Sequence, residues 1–322
     1  VRDIVLASPS SNACLALLGD KSFLFSEKGN AFLMYGVSGR SWIAMGDPIG
    51  SADEWRELLW QFRERCDRFD GWTVFYEVGT KNLPLYLELG LTLVKIGEEG
   101  LVDLKGFSLE GNERKGFRHT LNKFEKEDYT FEVVSVEKVP SVLAEMKEVS
   151  DLWLKEKNTR EKHFSLGFFN EAYLKQLPVA LVRKEQKIFA FANLWQSAGK
   201  AELSIDLMRH LPEAPHGIMD YLLVHLMLWG KNEGYRWFCL GMAPLSGMEA
   251  STLAPLWNRI GAFLFRHGEH FYNFQGLRQY KEKFDPQWEP RYLVSPGGRA
   301  LPIILTHIAA LISGGVKGVI TK

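Results

Sequence analysis

Residues 179–207, VALVRKEQKIFAFANLWQSAGKAELSIDL, contain three apolar runs separated by short polar segments. We predict strands at residues 179–183, 188–195 and 200–207, with the almost wholly apolar middle run in the centre of a sheet. A helix at residues 217–234 follows, ending at a glycine cap, and then a strand at residues 237–241. This order of strands, helix and strand is typical of an α/β domain.

A similar order occurs earlier in the chain. Three short strands are predicted at residues 22–25, 31–37 and 41–44, followed by an amphipathic helix at 53–68 and a strand at 72–77. A short helix at 82–89 and strands at 93–96 and 100–104 complete this part, and a strand at 131–134 and a helix at 139–156 open the next. The pattern predicts an α/β (α+β) fold built from two copies of one unit, each a mixed sheet flanked by helices. The predicted divisions are 1–108, a connecting helix at 109–130, a second domain at 131–300 and a C-terminal amphipathic segment at 301–322.

Composition excludes several classes of protein. Hydrophobic residues make up 46% and the formal net charge is zero, so neither a disordered chain nor a protein that coats long nucleic acid is expected. Cys14, Cys66 and Cys239 are too widely spaced for a disulfide framework or a CxxC metal site. The sequence contains no apolar run of about 18 residues, so no bilayer-spanning segment is predicted. The chain begins with Val1 and not with methionine, so we expect a part of a longer protein.

The predicted connecting helix is the most basic stretch of the chain. Its charged side chains are spaced to follow a phosphate backbone, and the candidates for binding tRNA are Arg114, Lys115, Arg118 and Lys123. A solvated surface helix that links two domains is the alternative, and charge alone favours that alternative.

The common catalytic motifs are absent from the sequence. It contains no GxSxG elbow, P-loop, HExxH or GxGxxG. His267 and His270 flank Glu269, but no third ligand stands at a known spacing, so no metal site is predicted.

Polar residues instead concentrate in the last third of the chain. Asp206 and Arg209 end an apolar strand, where Asp206 could hold an amine and Arg209 a carboxylate or phosphate. A surface ion pair is the alternative. The glycine-containing loop that includes Met242 could direct backbone N–H groups at an oxyanion, or it could be an ordinary turn.

Residues 266–292 combine aromatic and charged side chains. Arg278, Lys281 and Lys283 lie close together in sequence and could bind phosphate or the 3′ end of a tRNA. The aromatic side chains could stack on a base or shape an acyl pocket, and they include Phe271, Tyr272, Phe274 and Tyr280.

The C-terminal segment is apolar over residues 301–312 and is followed by Lys317 and Lys322. Helical spacing predicts one apolar face, which we expect to lie against a lipid interface, with packing on the domain as the alternative. The residues of that face are Leu301, Ile304, Leu305, Ile308, Leu311 and Ile312.

Longer motifs resemble a known family. They are residues 216–221 (HGIMDY), 228–231 (LWGK), 234–238 (GYRWF), 240–245 (LGMAPL), 271–278 (FYNFQGLR), 280–284 (YKEKF), 288–292 (WEPRY) and 44–50 (AMGDPIG). The sequences of these motifs and their order along the chain resemble the C-terminal domain of the bacterial multiple peptide resistance factors, the aminoacyl-phosphatidylglycerol synthases. The resemblance covers essentially the whole chain.

The resemblance implies a pair of acetyltransferase-like (GNAT) domains that transfer an amino acid from aminoacyl-tRNA to phosphatidylglycerol without acetyl-CoA or another cofactor. It implies that the reaction takes place at the cytoplasmic face of the bacterial membrane and that an N-terminal multi-pass flippase region precedes this domain in the full-length protein. It also implies that the product gives resistance to cationic antimicrobial peptides. Family members donate lysine or alanine, and only the family's usual naming favours lysine here.

On this interpretation the candidate catalytic residues are Asp206, Arg209, Glu269, Lys281 and Lys283. The candidate substrate-binding residues are Met242, Tyr272, Phe274, Arg278 and Tyr280. An acetyl-CoA-dependent N-acetyltransferase of the same fold is the rival, but residues 211–217 lack the pyrophosphate loop that such an enzyme needs. A non-catalytic tRNA- or membrane-binding module is a second rival, and it would not require clustered acids and bases.

Overall fold

The computed structural model describes residues 1–248 and 274–314, and its contacts divide the chain into two compact units. Unit 1 comprises residues 1–8, 20–102 and 239–319, and unit 2 comprises residues 9–19, 103–238 and 320–322. The predicted boundaries differ from this division, because the described residues 239–248 and 274–300 lie in unit 1 and not with residues 131–238. Each unit combines a sheet with packed helices, which confirms the predicted fold class.

The described part of unit 1 has its strands in the order β1-β2-β3-β5-β12-β6-β11, with β4 pairing β2 at the side. The strands are β1 (Ser22–Phe25), β2 (Ala31–Ser38), β3 (Ser41–Met45), β4 (Ile49–Gly50), β5 (Trp72–Val78), β6 (Thr92–Asp103), β11 (Trp237–Pro244) and β12 (Gln287–Ser295). β3 and β5 are parallel, whereas β12 is antiparallel to both β5 and β6. The late strand β12 is therefore inserted between two strands from the start of the chain.

The helices of unit 1 are α1 (Arg2–Leu6), α2 (Trp55–Arg68), α3 (Leu83–Glu88), α8 (Phe274–Glu282) and α9 (Leu301–Ile312). The apolar face of α2 supplies Leu58, Leu59, Phe62 and Cys66 to the core, as its helical spacing predicted. These side chains pack with the buried sheet residues, among them Phe75, and with Tyr86 of α3. The sheet is thereby fixed on one side by a continuous core.

Unit 2 contains β7 (Tyr129–Val134), β8 (Val179–Lys184), β9 (Lys187–Gln196) and β10 (Glu202–His210) in the order β10-β9-β8-β7. All three pairings are antiparallel. The apolar run that predicted a central strand is β9, which pairs on both sides. Its helices are α4 (Lys115–Lys126), α5 (Leu143–Glu156), α6 (Glu171–Leu174) and α7 (Ile218–Asn232).

One prediction of local structure was wrong, because the strands expected at residues 93–96 and 100–104 form the single strand β6. Residues 287–292, for which no strand was predicted, are the first part of β12. No helix within residues 1–248 and 274–314 is long and apolar enough to cross a bilayer.

Candidate functional site

A buried lysine lies at the centre of a charged cluster in unit 1. Lys281, near the end of α8, is 7% exposed, and its Nζ donates to the carbonyl oxygens of Gly241 and Met242 at 3.0 and 2.9 Å. Burial lowers the pKa of Lys281 to about 8, although the nearby acidic groups act in the opposite direction. A lysine ammonium has three N–H donors, so two of them are used to hold the side chain against β11.

An arginine from β12 and a glutamate from β6 belong to the same cluster. Arg291 is hydrogen bonded and ion paired with Glu99 of β6, which is 3% exposed. Burial disfavours the charged guanidinium, but the Glu99 carboxylate more than offsets this and raises the pKa of Arg291. The pair exists because β12 lies beside β6, so its partners come from distant parts of the chain.

Glu77 is a further member of the cluster, and the sequence analysis did not identify it. It is the extra residue of a β-bulge in β5, because Tyr292 pairs with Val78 and Leu293 with Tyr76. Burial, and then the charge of Glu99, raises the pKa of Glu77 to about 7, while Arg291, Tyr76 and Lys281 act in the opposite direction. An acid and a base with pKa values near neutrality therefore lie in one cluster, an arrangement that is frequent at active sites.

A second set of ion pairs lies on the same unit. Glu98 accepts from Lys95 at 2.8 Å and from Arg278, whose guanidinium lies 4.0 Å from the centre of the Trp288 ring. Burial acts to raise the pKa of Glu98, but the hydrogen bonds from Lys95 and Arg278 prevail and lower it. Arg278, a predicted substrate-binding residue, is thus held by a carboxylate and an aromatic ring.

The other predicted residues of α8 have different surroundings. Lys283 is exposed, and its ammonium lies 4.5 Å from the centre of the Tyr280 ring. Phe274 is the first residue of the helix. Glu269, Tyr272 and Phe271 lie outside the described residues, as do His267 and His270, so their predicted roles stay predictions. Among the residues that the structure does describe, no group of acidic, histidine or cysteine side chains could hold a metal ion.

Asp206 lies in a hydrogen-bonded network in unit 2. Its carboxylate accepts from the backbone N–H of Gly167 at 2.7 Å and from the Tyr173 hydroxyl at 2.8 Å. The same hydroxyl accepts from the Trp195 indole at 2.6 Å and from the Asn193 amide at 3.3 Å. Burial, followed by the charge of Asp206, raises the pKa of Tyr173 well above its usual value, so this hydroxyl remains a donor.

Arg209 has separate partners in the same unit. It forms a bidentate ion pair with Glu161 and donates to the Ser150 hydroxyl. Its guanidinium lies 5.3 Å from the centre of the Trp153 ring. Arg209 is only 4% exposed, so the alternative of a surface ion pair between Asp206 and Arg209 was wrong. Both residues instead hold the segment 158–170, through Glu161 and Gly167.

The basic helix α4 is anchored by apolar side chains. Phe117, Leu121 and Phe124 are buried, and Phe124 stacks on Tyr221 of α7 at 4.9 Å. Arg118 donates to the carbonyl oxygens of Leu109 and Gly111, so its guanidinium also caps the preceding loop.

The outer side of α4 forms an open depression. It is lined by His119, Asn122, Lys123, Lys126 and Glu127. Lys115 is also exposed, whereas Arg114 lies over the rings of Phe107 and Phe117.

The C-terminal helix α9 packs on β2 and β3 of unit 1. Ile304 and Ile308 are buried, and the His307 ring is 2.9 Å from the Ser41 hydroxyl. For these two isoleucines, packing and not lipid contact accounts for the apolar spacing. Lys317 and Lys322 lie outside the described residues.

Comparison with known proteins shows the family. A family model described as "Phosphatidylglycerol lysyltransferase, C-terminal" matches residues 2–295. A phosphatidylglycerol lysyltransferase from Staphylococcus aureus (strain MRSA252) is 41% identical over 277 residues, 86% of this chain and 33% of that protein. One from Bacillus subtilis (strain 168) is 38% identical over 304 residues, 94% of this chain and 35% of that protein. The chain thus spans about a third of the length of these relatives.

Solved structures agree with the sequence match. The C-terminal domain assigned to a lysylphosphatidylglycerol synthetase from Agrobacterium fabrum is 45% identical, with a TM-score of 0.89 and coverage of 98% of this chain and 97% of that one. L-PGS from Bacillus licheniformis is 38% identical, with a TM-score of 0.83 and coverage of 94% and 92%. FemX shares only the fold, at 10% identity and a TM-score of 0.59. The chain therefore belongs to the family of phosphatidylglycerol lysyltransferase C-terminal domains.

Proposed function

We propose that this chain transfers an aminoacyl group from aminoacyl-tRNA to a hydroxyl of phosphatidylglycerol. The observation that carries the proposal is the match of residues 2–295 to a family model described as a phosphatidylglycerol lysyltransferase C-terminal domain. Relatives named for the reaction are 41% and 38% identical to this chain. An acetyl-CoA-dependent acetyltransferase is not favoured, because the closely similar proteins are named for lysyl transfer.

The reaction exchanges one ester for another. The lipid hydroxyl attacks the carbonyl carbon of the aminoacyl ester, its proton must be accepted, and the ribose oxygen of the tRNA leaves with a proton. The ester is already activated, so no covalent enzyme intermediate is needed. The protein has to bring the two substrates together and stabilise the negative charge on the carbonyl oxygen.

In this proposal Lys281 stabilises the developing negative charge. Two of its N–H donors are held by the carbonyl oxygens of Gly241 and Met242, and the third would donate to a substrate oxygen. A buried cation acts more strongly than an exposed one because less water screens its charge. Arg278, Tyr280 and Lys283 lie on or just after the same helix and would bind the phosphate or the acyl donor, as the sequence predicted.

Asp206 and Arg209 serve in the proposal as positioning residues. Asp206 holds Gly167 and Arg209 holds Glu161, and both partners belong to the segment 158–170, so the two side chains fix that segment of unit 2. Glu269, a candidate catalytic residue of the sequence analysis, would orient the α-amine of the donated amino acid in this proposal.

The partners and location follow from the family resemblance. We propose lysine as the donated amino acid because the relatives are named lysyltransferases, with alanine as the tested alternative. The exposed side of α4 would bind the tRNA, since its lysines lie around an open depression. The reaction would take place at the cytoplasmic face of the membrane beside an N-terminal flippase region, and its product would give resistance to cationic antimicrobial peptides.

A direct assay tests the function. The purified chain is incubated with Lys-tRNA or Ala-tRNA carrying a labelled amino acid, together with phosphatidylglycerol vesicles, and the lipid is extracted. We expect label in the lipid phase without ATP or coenzyme A, and more from Lys-tRNA. Phosphatidylethanolamine vesicles serve as the matched control, because they lack the glycerol headgroup. A product that requires acetyl-CoA, or no labelled lipid from either tRNA, would contradict the proposal.

A further inference from the structure

The carboxylates of the unit 1 cluster differ in what they contact. Glu99 is paired with Arg291, and Glu98 with Lys95 and Arg278. Asp47 accepts from the Tyr86 hydroxyl at 2.8 Å and from the backbone N–H of Gly79 at 3.0 Å. Glu77 forms no ion pair within the part of the chain that the structure describes, although Arg291 and Lys281 are near enough to act on its charge. Within those residues, its oxygens are therefore not paired with a cation.

The backbone at Glu77 is also unusual. Its φ is 67°, in the left-handed region that residues other than glycine seldom adopt, and it is the extra residue of the bulge opposite β12. A bulge changes the direction of a side chain relative to a regular strand, and backbone strain of this kind concentrates at functional sites. The half-buried Glu77 side chain is thus set apart from the alternation of β5.

We propose that the Glu77 carboxylate is the base that accepts the proton of the attacking phosphatidylglycerol hydroxyl. This inference rests on the proposed function and adds a catalytic residue to it. As the O–H bond of the lipid breaks, its oxygen bonds to the aminoacyl carbonyl carbon and Glu77 holds the proton. The ester bond to ribose then breaks, and Glu77 returns the proton to the leaving ribose oxygen, so no other reactant is needed.

The charges around Glu77 suit this cycle. Burial, and then Glu99 on β6, raises the pKa of Glu77, whereas Arg291 on β12, the neighbouring Tyr76 and Lys281 on α8 lower it. With a pKa of about 7 for Glu77 and about 8 for Lys281, the base is ionised and the ammonium protonated together between these values. Activity should fall below pH 7 as Glu77 takes up a proton and above pH 8 as Lys281 loses one.

The test compares Glu77→Gln with wild type over pH 5.5–9 in the labelled-lipid assay. We expect Glu77→Gln to lower kcat by about 100-fold or more and to abolish the acidic limb, because an amide cannot accept the proton. The KM values for both substrates and the Tm should change little. Glu64→Gln, an exposed change on α2, is the matched control and should behave as wild type.

A second pair of variants guards against misfolding. Glu77→Asp and Glu77→Asn have similar backbone preferences, and both tolerate a positive φ, so only the charge differs. The aspartate variant should keep an acidic limb that the asparagine variant lacks. If wild type makes the lipid product and Glu77→Gln keeps both its kcat and its acidic limb, the base is another group and the proposed function stands. If wild type makes no product, the proposed function fails and this inference with it.

Discussion

Each unit of this chain carries an acidic residue at a bulge in an antiparallel strand pair, but the two carboxylates have different surroundings. Asp206 lies where the register of β10 shifts against β9, and Glu77 where β5 shifts against β12. Asp206 accepts from Gly167 and Tyr173. Glu77 instead lies among charged groups with no ion pair of its own within the described residues.

The comparison teaches that an acidic bulge does not by itself identify a base. A carboxylate that accepts hydrogen bonds from a backbone N–H and a hydroxyl is stabilised as an anion and fixes the groups around it. Burial, and then the charge of Glu99, raises the pKa of Glu77 to about 7, so this carboxylate can exchange a proton near physiological pH. We therefore expect substitutions in unit 1 to affect rate and those around Asp206 to affect stability.

The largest expected effect is that of Lys281→Met on the rate. Removing the charge while keeping an apolar stem should lower kcat by about 100-fold or more, as for the loss of one group that stabilises an oxyanion. Lys281→Arg should keep part of the activity and move the alkaline limb of the pH profile upward, because a guanidinium does not lose its proton in this range. Both effects are measured with the labelled-lipid assay.

Thermal unfolding of the same variants provides the control for Lys281. The methionine side chain leaves the carbonyl oxygens of Gly241 and Met242 without their donor, so some loss of Tm is expected. Lys283→Met, which removes an exposed charge just after the same helix, should reduce the rate less. A Lys281→Met variant that is less stable but retains its kcat would break the distinction between the two units.

Asp206→Ala should reveal the anchoring role as a loss of stability. It removes the acceptor of two hydrogen bonds and should lower the free energy of unfolding by about 1–3 kcal/mol. Gly167→Ala should act on the same contact, because a Cβ there would lie 1.7 Å from an Asp206 carboxylate oxygen. Denaturant unfolding of both variants and of the double variant measures the coupling.

The double variant gives a sharp criterion. Alanine at position 206 makes room for the new methyl group at position 167. The double variant should therefore lose less free energy of unfolding than the sum of the losses of the two single variants. Gly116→Ala on α4 is the matched control: nothing lies within 4 Å of its added Cβ, and alanine should be neutral or stabilising in a helix. Strictly additive losses would mean that Asp206 and Gly167 do not act through one contact.

Local patterns predicted much of the fold. The predicted strands 22–25, 31–37 and 41–44 match β1, β2 and β3 to within one residue, because alternation and turn glycines act over short distances. β12 was not predicted, since Pro290 is unusual in a strand with neighbours on both sides. Only its insertion between β5 and β6, and the partner Glu99, make this sequence a strand.

Only part of the candidate site was predicted, because local sequence patterns do not show contacts between residues that are far apart in the chain. Lys281 and Arg278 stood out because charges and aromatic rings alternate around them. Glu77 ends an apolar strand and has no local signal, since its charged neighbours Lys281 and Arg291 come from the far end of the chain. The anchoring contacts of Asp206 likewise depend on Gly167 and Tyr173, whose approach no spacing in the sequence indicates.

Binding of tRNA should depend on α4 and not on either acidic bulge. Replacing Lys115, Lys123 and Lys126 by alanine should weaken tRNA affinity and lower the log–log salt slope by roughly 0.7–0.9 for each phosphate that is no longer neutralised. Arg118 is left in place because it caps the loop through Leu109 and Gly111. The control replaces three exposed lysines elsewhere in unit 2, Lys155, Lys157 and Lys175. Equal weakening by both sets would show that only net charge matters.

The smallest expected effect concerns α9 and the membrane surface. Ile308 is 4% exposed and packs in unit 1, whereas Ile303 on the same helix is 46% exposed. Ile308→Ser should therefore lower the Tm without a specific effect on lipid binding, because it removes a buried apolar side chain. Ile303→Ser should leave the Tm unchanged and weaken co-sedimentation with phosphatidylglycerol vesicles by only a few-fold, roughly 1 kcal/mol or less, since half of the side chain is already covered by protein. A soluble short-chain phosphatidylglycerol should still be used at the wild-type rate. If Ile303→Ser binds vesicles as wild type does, α9 serves only the packing of unit 1, and the approach to the bilayer must depend on another surface.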